Sequence, residues 1–146
     1  MTVQPQEMKL LHFDVIKEPW NVYELEDSAT LRVKVVLKNL IKEAENSYSF
    51  GTSNVIAVIP DPKSIGLPSP PLKSGENLES SIEADDLEIL NKTELWNIYE
   101  VLSENLTLHI KGVAVSVSRT KRHDEKGLPI YLANIQPLIK PKKQRK

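Results

Sequence analysis

Apolar and polar residues alternate along much of the chain, most regularly in its second half. Apolar side chains there occupy every second position, with one slip in phase at Gly112: Leu106, Leu108, Ile110, Val113, Val115 and Val117. Alternation with period two, dominated by β-branched residues, predicts a half-buried β-strand. The slip in phase predicts a β-bulge at Gly112.

Two segments of the chain repeat nearly the same sequence 76 residues apart. Residues 18–24 read EPWNVYE and residues 94–100 read ELWNIYE, and they contain both tryptophans, Trp20 and Trp96. Thirteen residues of 11–59 are identical in the second copy, in the same order. We therefore predict a tandem duplication of a unit of roughly 50 residues.

The duplication also predicts the secondary structure of residues 33–44, whose own pattern is ambiguous. Residues 33–44 place apolar side chains at helical spacing, whereas the matching part of the second copy alternates with period two. Since homologous segments share a structure, both are predicted to be strands. The expected strands cover 10–17, 20–24, 30–41, 54–60, 87–92, 95–101, 105–119 and 129–136, with hairpin tips at 42–53 and 120–128.

One copy has only three or four strands, which is too few to bury a core alone. Two copies related by a pseudo-twofold axis would share one core, so the sequence predicts an all-β small barrel or sandwich. The expected parts are a first β repeat (10–60), a Pro/Ser-rich acidic linker or loop (61–86), a second β repeat (87–139) and a basic tail (140–146). Both repeats are expected to form one domain.

Composition narrows the classes of function. The chain has 146 residues, and its lack of cysteine excludes a disulfide framework and a thiolate zinc site. No metal or cofactor is predicted, because the three histidines lack metal-ligand spacing and no nucleotide-binding loop occurs. The chain also lacks a signal peptide pattern and a long apolar run, so a cytoplasmic protein without membrane contact is expected.

Charge is distributed unevenly along the chain. Residues 117–146 hold nine basic and two acidic residues, although the net charge of the whole chain is only -1. A basic end favours an anionic partner such as nucleic acid or an acidic protein, and the alternative is a solvated tail that keeps the protein soluble. The candidate anion-binding residues are Arg119, Lys121, Arg122, His123, Lys140, Lys142, Lys143, Arg145 and Lys146.

The aromatic residues of the repeated block are the second candidate site. Trp20 and Tyr23 correspond to Trp96 and Tyr99. A repeated tryptophan is typical of a core residue that fixes how the copies pack. An exposed aromatic beside basic residues would instead stack on nucleic-acid bases.

Three functions follow from these residues. The first is a non-catalytic module that binds nucleic acid or another polyanion through the basic hairpin tip and the tail. The second is a scaffold subunit that forms homo-oligomers through its hairpin tips or sheet edges. The third is an enzyme with a site between the repeats, because Glu18, Glu24, Glu94 and Glu100 recur as carboxylate pairs, although no catalytic motif is present.

Two sequence blocks resemble short β-rich prokaryotic proteins that have no established activity. One block is Pro19, Trp20, Tyr23, Leu25–Glu26–Asp27 and Thr30–Leu31, and the other is Arg119–Thr120, Asp124–Glu125, Gly127 and Pro129–Ile130–Tyr131. The resemblance implies that relatives with a single unit dimerise and that this chain is a fused dimer. It implies no activity.

Overall fold

The computed structural model describes residues 8–143, which form two antiparallel sheets of five strands each. This part of the chain contains no α-helix, and none of its helices is long and apolar enough to cross a membrane. Three 3-10 helices cover Pro62–Ser64, Glu79–Ser81 and Leu102–Glu104. The strands are β1 (Lys9–Leu10), β2 (Asp14–Lys17), β3 (Asn21–Leu25), β4 (Thr30–Ala44), β5 (Ser47–Ile59), β6 (Ile82–Ala84), β7 (Ile89–Thr93), β8 (Asn97–Val101), β9 (Leu106–His123) and β10 (Pro129–Lys143).

Each sheet is built around one long hairpin. In the first sheet β4 pairs with β5 along one side and with β3 and β1 along the other. In the second sheet β9 pairs with β10 along one side, and β8 and β6 also pair with β9. The two sheets therefore have the same arrangement of strands around their central hairpins.

The halves of the chain exchange one strand each. β2 precedes the first hairpin in the sequence but pairs with β8 of the second sheet. β7 precedes the second hairpin but pairs with β3 of the first sheet. Because each sheet contains a strand from the other half of the chain, the two halves are tied together by backbone hydrogen bonds.

The core lies between the sheets and draws on both. Side chains of β3 and β4 pack in one cluster with side chains of β8 and β9, and its most buried members include Tyr23, Leu31, Tyr99, Leu108 and Ile110. Strand alternation explains this, since every second residue of each strand faces the same side. Packing against the other sheet buries the apolar face of each sheet, which a sheet this small could not bury alone.

The backbones of the two sheets approach closely at Gly112. The Asn21 side chain donates a hydrogen bond of 2.7 Å to the Gly112 carbonyl, and the Asn97 side chain donates one of 2.6 Å to the Val35 carbonyl. A Cβ on Gly112 would collide with the Val35 side chain. Glycine at this position therefore permits the contact between β4 and β9.

The all-β prediction is confirmed, while the barrel alternative is wrong. Among residues 8–143 the sheets remain separate and their edges do not hydrogen-bond to one another. The bulge was also predicted at the wrong residue: alternation of burial continues through Gly112, and the register shifts opposite Val115. Gly112 has no apolar side chain, so the sequence pattern is interrupted at this position although the alternation of buried and exposed residues continues.

The hairpin tips are shorter than the sequence suggested. The predicted tip at 42–53 reduces to Glu45 and Asn46, and Asn46 takes the left-handed conformation (φ 60°) common in two-residue turns. The second tip reduces to residues 124–128. β10 also continues through Lys143 into the predicted basic tail, while Arg145 and Lys146 lie outside the described residues.

Candidate functional site

The structure places Arg119 of the predicted basic tip inside the protein's own polar network. Its guanidinium pairs with Asp27 at 2.7 Å and with Glu83 at 3.0 Å, and the Tyr131 hydroxyl donates to the same Asp27 carboxylate at 2.5 Å. Burial alone would raise the pKa of Asp27, but the hydrogen bonds from Tyr131 and Arg119 hold that pKa below its usual value. Arg119 therefore joins strand β9 to the turn after β3.

Arg122 and His123 form hydrogen bonds with the segment that connects β5 to β6. The Arg122 guanidinium donates to the Pro70 carbonyl. The His123 ring lies 2.8 Å from the Ser64 carbonyl, and its backbone amide donates to the Ser69 hydroxyl at 2.9 Å. Arg122 and His123 thus have protein partners, whereas Lys121 at the end of β9 and Lys126 in the tip are exposed.

A cleft of about 340 Å³ lies beside this network. Its lining includes Asp27, Asp61, Glu83, Arg119 and His123. Arg119 neutralises two of these carboxylates, so the charges outside ion pairs in the cleft are those of Asp61 and Lys63. No group of metal-ligating side chains occurs there or elsewhere in residues 8–143.

The tyrosines and tryptophans of the repeated block lie on opposite sides of their strands. Tyr23 and Tyr99 are buried in the core between the sheets. Trp20 and Trp96 are half-buried on the outer faces. Packing between the sheets thus involves the tyrosines, and the tryptophans are left at the surface.

Two lysines lie over the Trp96 ring. The Lys111 ammonium is 4.7 Å and the Lys140 ammonium 5.1 Å from the ring centroid, and His109 makes an edge contact at 6.4 Å. Register explains this grouping, because Lys140 of β10 lies directly opposite His109 of β9. His109 and Lys111 are two residues apart and so share the outer face.

Two further lysines extend this basic group. Lys142 follows Lys140 on the same face of β10, and the exchanged strand β2 places Lys17 opposite Ile98 of β8. Burial lowers the pKa of His109, and the charges of Lys142, Lys140 and Lys17 lower it further. We call this surface the Trp96 face, defined by Lys17, Trp96, His109, Lys111, Lys140 and Lys142.

No ion pair of the described residues includes a lysine of the Trp96 face. Ion pairs in that part of the chain use Lys42, Lys92 and Arg119 as their basic members. Glu100 of β8 shares the outer face with Ile98 and lies opposite Thr107, which in turn lies opposite Lys142. The face therefore concentrates positive charge around one indole, a combination that favours anions with aromatic groups.

The first sheet carries a smaller version of the same arrangement. Arg32 lies 4.5 Å and Lys34 5.0 Å from the Trp20 ring centroid. The neighbouring strand β5 places Val55 opposite Lys34 and Ala57 opposite Arg32. The surroundings of Trp20 are thus more apolar than the Trp96 face.

Of the predicted anion-binding residues, Lys140 and Lys142 lie in the Trp96 face. Lys143 points elsewhere, since it donates to the Tyr48 hydroxyl at 3.2 Å and to the Glu104 carbonyl at 3.0 Å. Sequence reasoning missed Lys17, His109 and Lys111 as members of one site. Alternation gives the faces of a single strand, but only the pairing of β2, β8, β9 and β10 brings these residues together.

Comparison of the chain with protein-family models, with curated proteins and with solved structures found no match.

Proposed function

We propose that the protein binds nucleic acid through the Trp96 face, with single strands preferred over duplexes. The observation that carries this proposal is the group of four lysines on the Trp96 face, two of them over the ring, which take part in no ion pair among residues 8–143. Lysines attract phosphates, and an indole stacks on unpaired bases. Bases in a duplex are already stacked on one another and cannot reach a flat sheet face.

Replacement of a lysine by a nucleic-acid base on the Trp96 ring is favourable in free energy. A cation–π contact at an exposed site contributes about 0.5–1 kcal/mol. A base stacked on an aromatic ring contributes about 1–3 kcal/mol. A lysine that leaves the ring gains a phosphate nearby, so binding replaces the weaker contact without losing the charge interaction.

Fluorescence anisotropy with labelled single-stranded DNA, RNA and duplex DNA tests the proposal between about 50 and 200 mM salt. We expect single strands to bind more tightly, and the double variant Lys111→Gln/Lys140→Gln to weaken binding with a shallower salt slope. The matched control is Lys63→Gln/Lys73→Gln, which removes the same charge from exposed residues of the connection between β5 and β6. Equal loss in both double variants would contradict a role for the Trp96 face.

Stacking has its own readout, because the chain has two tryptophans. In Trp20→Phe the remaining indole is Trp96, and we expect single-stranded DNA to quench its fluorescence. In Trp96→Leu the remaining indole is Trp20, and we expect weak quenching together with affinity about 5- to 150-fold lower. Binding without quenching of Trp96 would exclude stacking at this residue.

We also propose that the two halves arose by tandem duplication and that their pseudo-twofold relation is that of a fused dimer. Matched contacts support this: Asn21 and Asn97 each donate to a carbonyl of the other half, and Tyr23 and Tyr99 each bond a glutamate of the other half. The resemblance to single-unit prokaryotic proteins agrees with such an origin. We place the protein's activity in the cytoplasm, where nucleic acid is accessible and cysteine-free chains need no disulfides.

A further inference from the structure

The outer edge of β5 is long, uncharged and open. Along one side β5 pairs with β4 over nearly its whole length, and no strand of residues 8–143 pairs with its other side. Its thirteen residues contain no charged residue and no proline. Val55, Ile56 and Ile59 are 45%, 43% and 56% exposed.

The corresponding edge strand of the second sheet is protected in the usual ways. β10 contains three prolines and three lysines (Pro129, Pro137, Pro141, Lys140, Lys142 and Lys143). Proline removes a backbone donor, and lysine is costly to bury, so both discourage edge-to-edge pairing. β5 has neither device, although an exposed edge of its length and composition normally associates with another strand.

We propose that two copies of this chain pair through β5, antiparallel and around a twofold axis, to form a dimer. Such pairing joins the two first sheets into one continuous sheet across the molecules. It satisfies the open backbone donors and acceptors of β5 and buries apolar side chains on both faces of the strand.

The charge pattern favours a second copy as the occupant. In an isologous antiparallel pair every residue of β5 faces a residue of the same strand, so any charged residue near the axis would face a like charge. The absence of charge from β5 removes this repulsion in every register. Because both copies pair through the same edge, association closes at two copies.

The proposed dimer and the proposed nucleic-acid site lie on different sheets. β5 belongs to the first sheet, and the β8, β9 and β10 residues of the Trp96 face belong to the second. Dimerisation therefore leaves the Trp96 face available, and each property can fail without the other.

Two matched glutamate substitutions test the dimer. Val55 lies opposite Lys34, and Leu138 of β10 lies opposite Lys111, and both apolar side chains are 45% exposed. In Val55→Glu and Leu138→Glu the new carboxylate thus has a cross-strand lysine within the same chain. Only Val55→Glu adds a charge to the β5 edge.

Light scattering after size exclusion measures the mass at concentrations from about 1 μM to 1 mM. We expect wild type and Leu138→Glu to approach twice the 16.5 kDa chain mass and Val55→Glu to remain near 16.5 kDa. A wild-type mass of 16.5 kDa throughout would overturn the proposal. Dissociation of Leu138→Glu, or a dimeric Val55→Glu, would also overturn it, because the interface would then lie elsewhere.

Hydrogen exchange of the wild type gives a second test that needs no variant. We expect amides of 47–59 to exchange more slowly at high than at low protein concentration, and amides of 129–143 to be unaffected. Exchange in 47–59 that does not depend on concentration would contradict pairing through β5.

Nucleic-acid binding separates the two proposals. Leu138→Glu introduces a negative charge beside Lys111 and is expected to weaken binding while the dimer persists. Val55→Glu is expected to lose the dimer while each chain still binds at the Trp96 face. A dimer without nucleic-acid binding would contradict the proposed function alone.

Discussion

The Tyr23 hydroxyl donates a hydrogen bond of 2.6 Å to the Glu94 carboxylate, across 71 residues of chain. Glu94 directly follows β7, the strand that the second half adds to the first sheet. Tyr99 makes the same bond at 2.7 Å to Glu18, which directly follows the exchanged strand β2. Burial raises the pKa of both tyrosines, and the glutamate partners raise it further, so the hydroxyls keep their protons. Each tyrosine thus fastens an exchanged strand at its end.

Tyr23→Phe is expected to destabilise the fold by about 1–3 kcal/mol, measured by urea unfolding. The substitution leaves the Glu94 carboxylate short of a donor, and it also removes the acceptor of the Ala114 amide at 3.1 Å. A double-mutant cycle with Glu94→Ala, which removes the acceptor, isolates the bond between the two side chains. Tyr48→Phe, at a more exposed tyrosine, is the control and is expected to cost less. Additive effects of the two substitutions would show that the bond contributes nothing.

Gly112→Ala is expected to destabilise the fold by about 1–3 kcal/mol, because the added methyl group collides with Val35 between the sheets. Removing the obstructing methyl groups tests this cause. Gly112→Ala/Val35→Ala should cost less than the sum of the two single substitutions, as measured by thermal unfolding. If the two losses of stability were additive, the loss in Gly112→Ala would come from the backbone geometry of the strand and not from the contact between the sheets.

Asp27→Asn is expected to lower stability at pH 7 and to reduce the acid sensitivity of the protein. The pKa of Asp27 is lowered by folding, so its pairing stabilises the protein above the unfolded pKa and is lost as pH falls through the folded value. Urea unfolding at pH 7 and pH 3 measures the difference. A pH dependence as steep in the variant as in wild type would exclude this contribution.

Arg119→Ala is expected to destabilise the protein without removing nucleic-acid binding. Its partners Asp27 and Glu83 hold it in the network beside β9, away from the lysines over Trp96. Anisotropy on the folded variant should give a salt slope close to that of wild type. A large decrease in the salt slope would show that Arg119 contacts phosphate, as the sequence predicts.

His109→Gln is expected to reduce the loss of stability on acidification from pH 7 to pH 5. The pKa of His109 is lowered in the folded protein by burial and by Lys142, Lys140 and Lys17. The unfolded chain therefore binds a proton first as pH falls through about 6.5, which disfavours the folded state. Chemical unfolding at several pH values checks the slope, with His12→Gln, at an exposed histidine, as the control. Identical slopes in wild type and His109→Gln would contradict the expectation.

Local sequence patterns were sufficient to predict the types of element and many of their positions. Period-two alternation predicted β9, and the sequence match between residues 30–36 and 107–113 predicted that residues 33–44 continue a strand despite their helical spacing. Local alternation also placed Trp20 and Tyr23 on opposite faces of one strand. These properties follow from backbone geometry, which is the same wherever a strand pairs.

The pairing of strands and the contacts between charged side chains depend on the folded arrangement of the whole chain. Arg119 and Lys140 look equivalent in the sequence, yet pairing of β6 with β9 brings Glu83 to Arg119, while Lys140 lies over Trp96. Lys17 reaches the second sheet because β2 crosses to β8. Non-local pairing depends on how two halves bury one core together, and no local pattern in the chain encodes that choice.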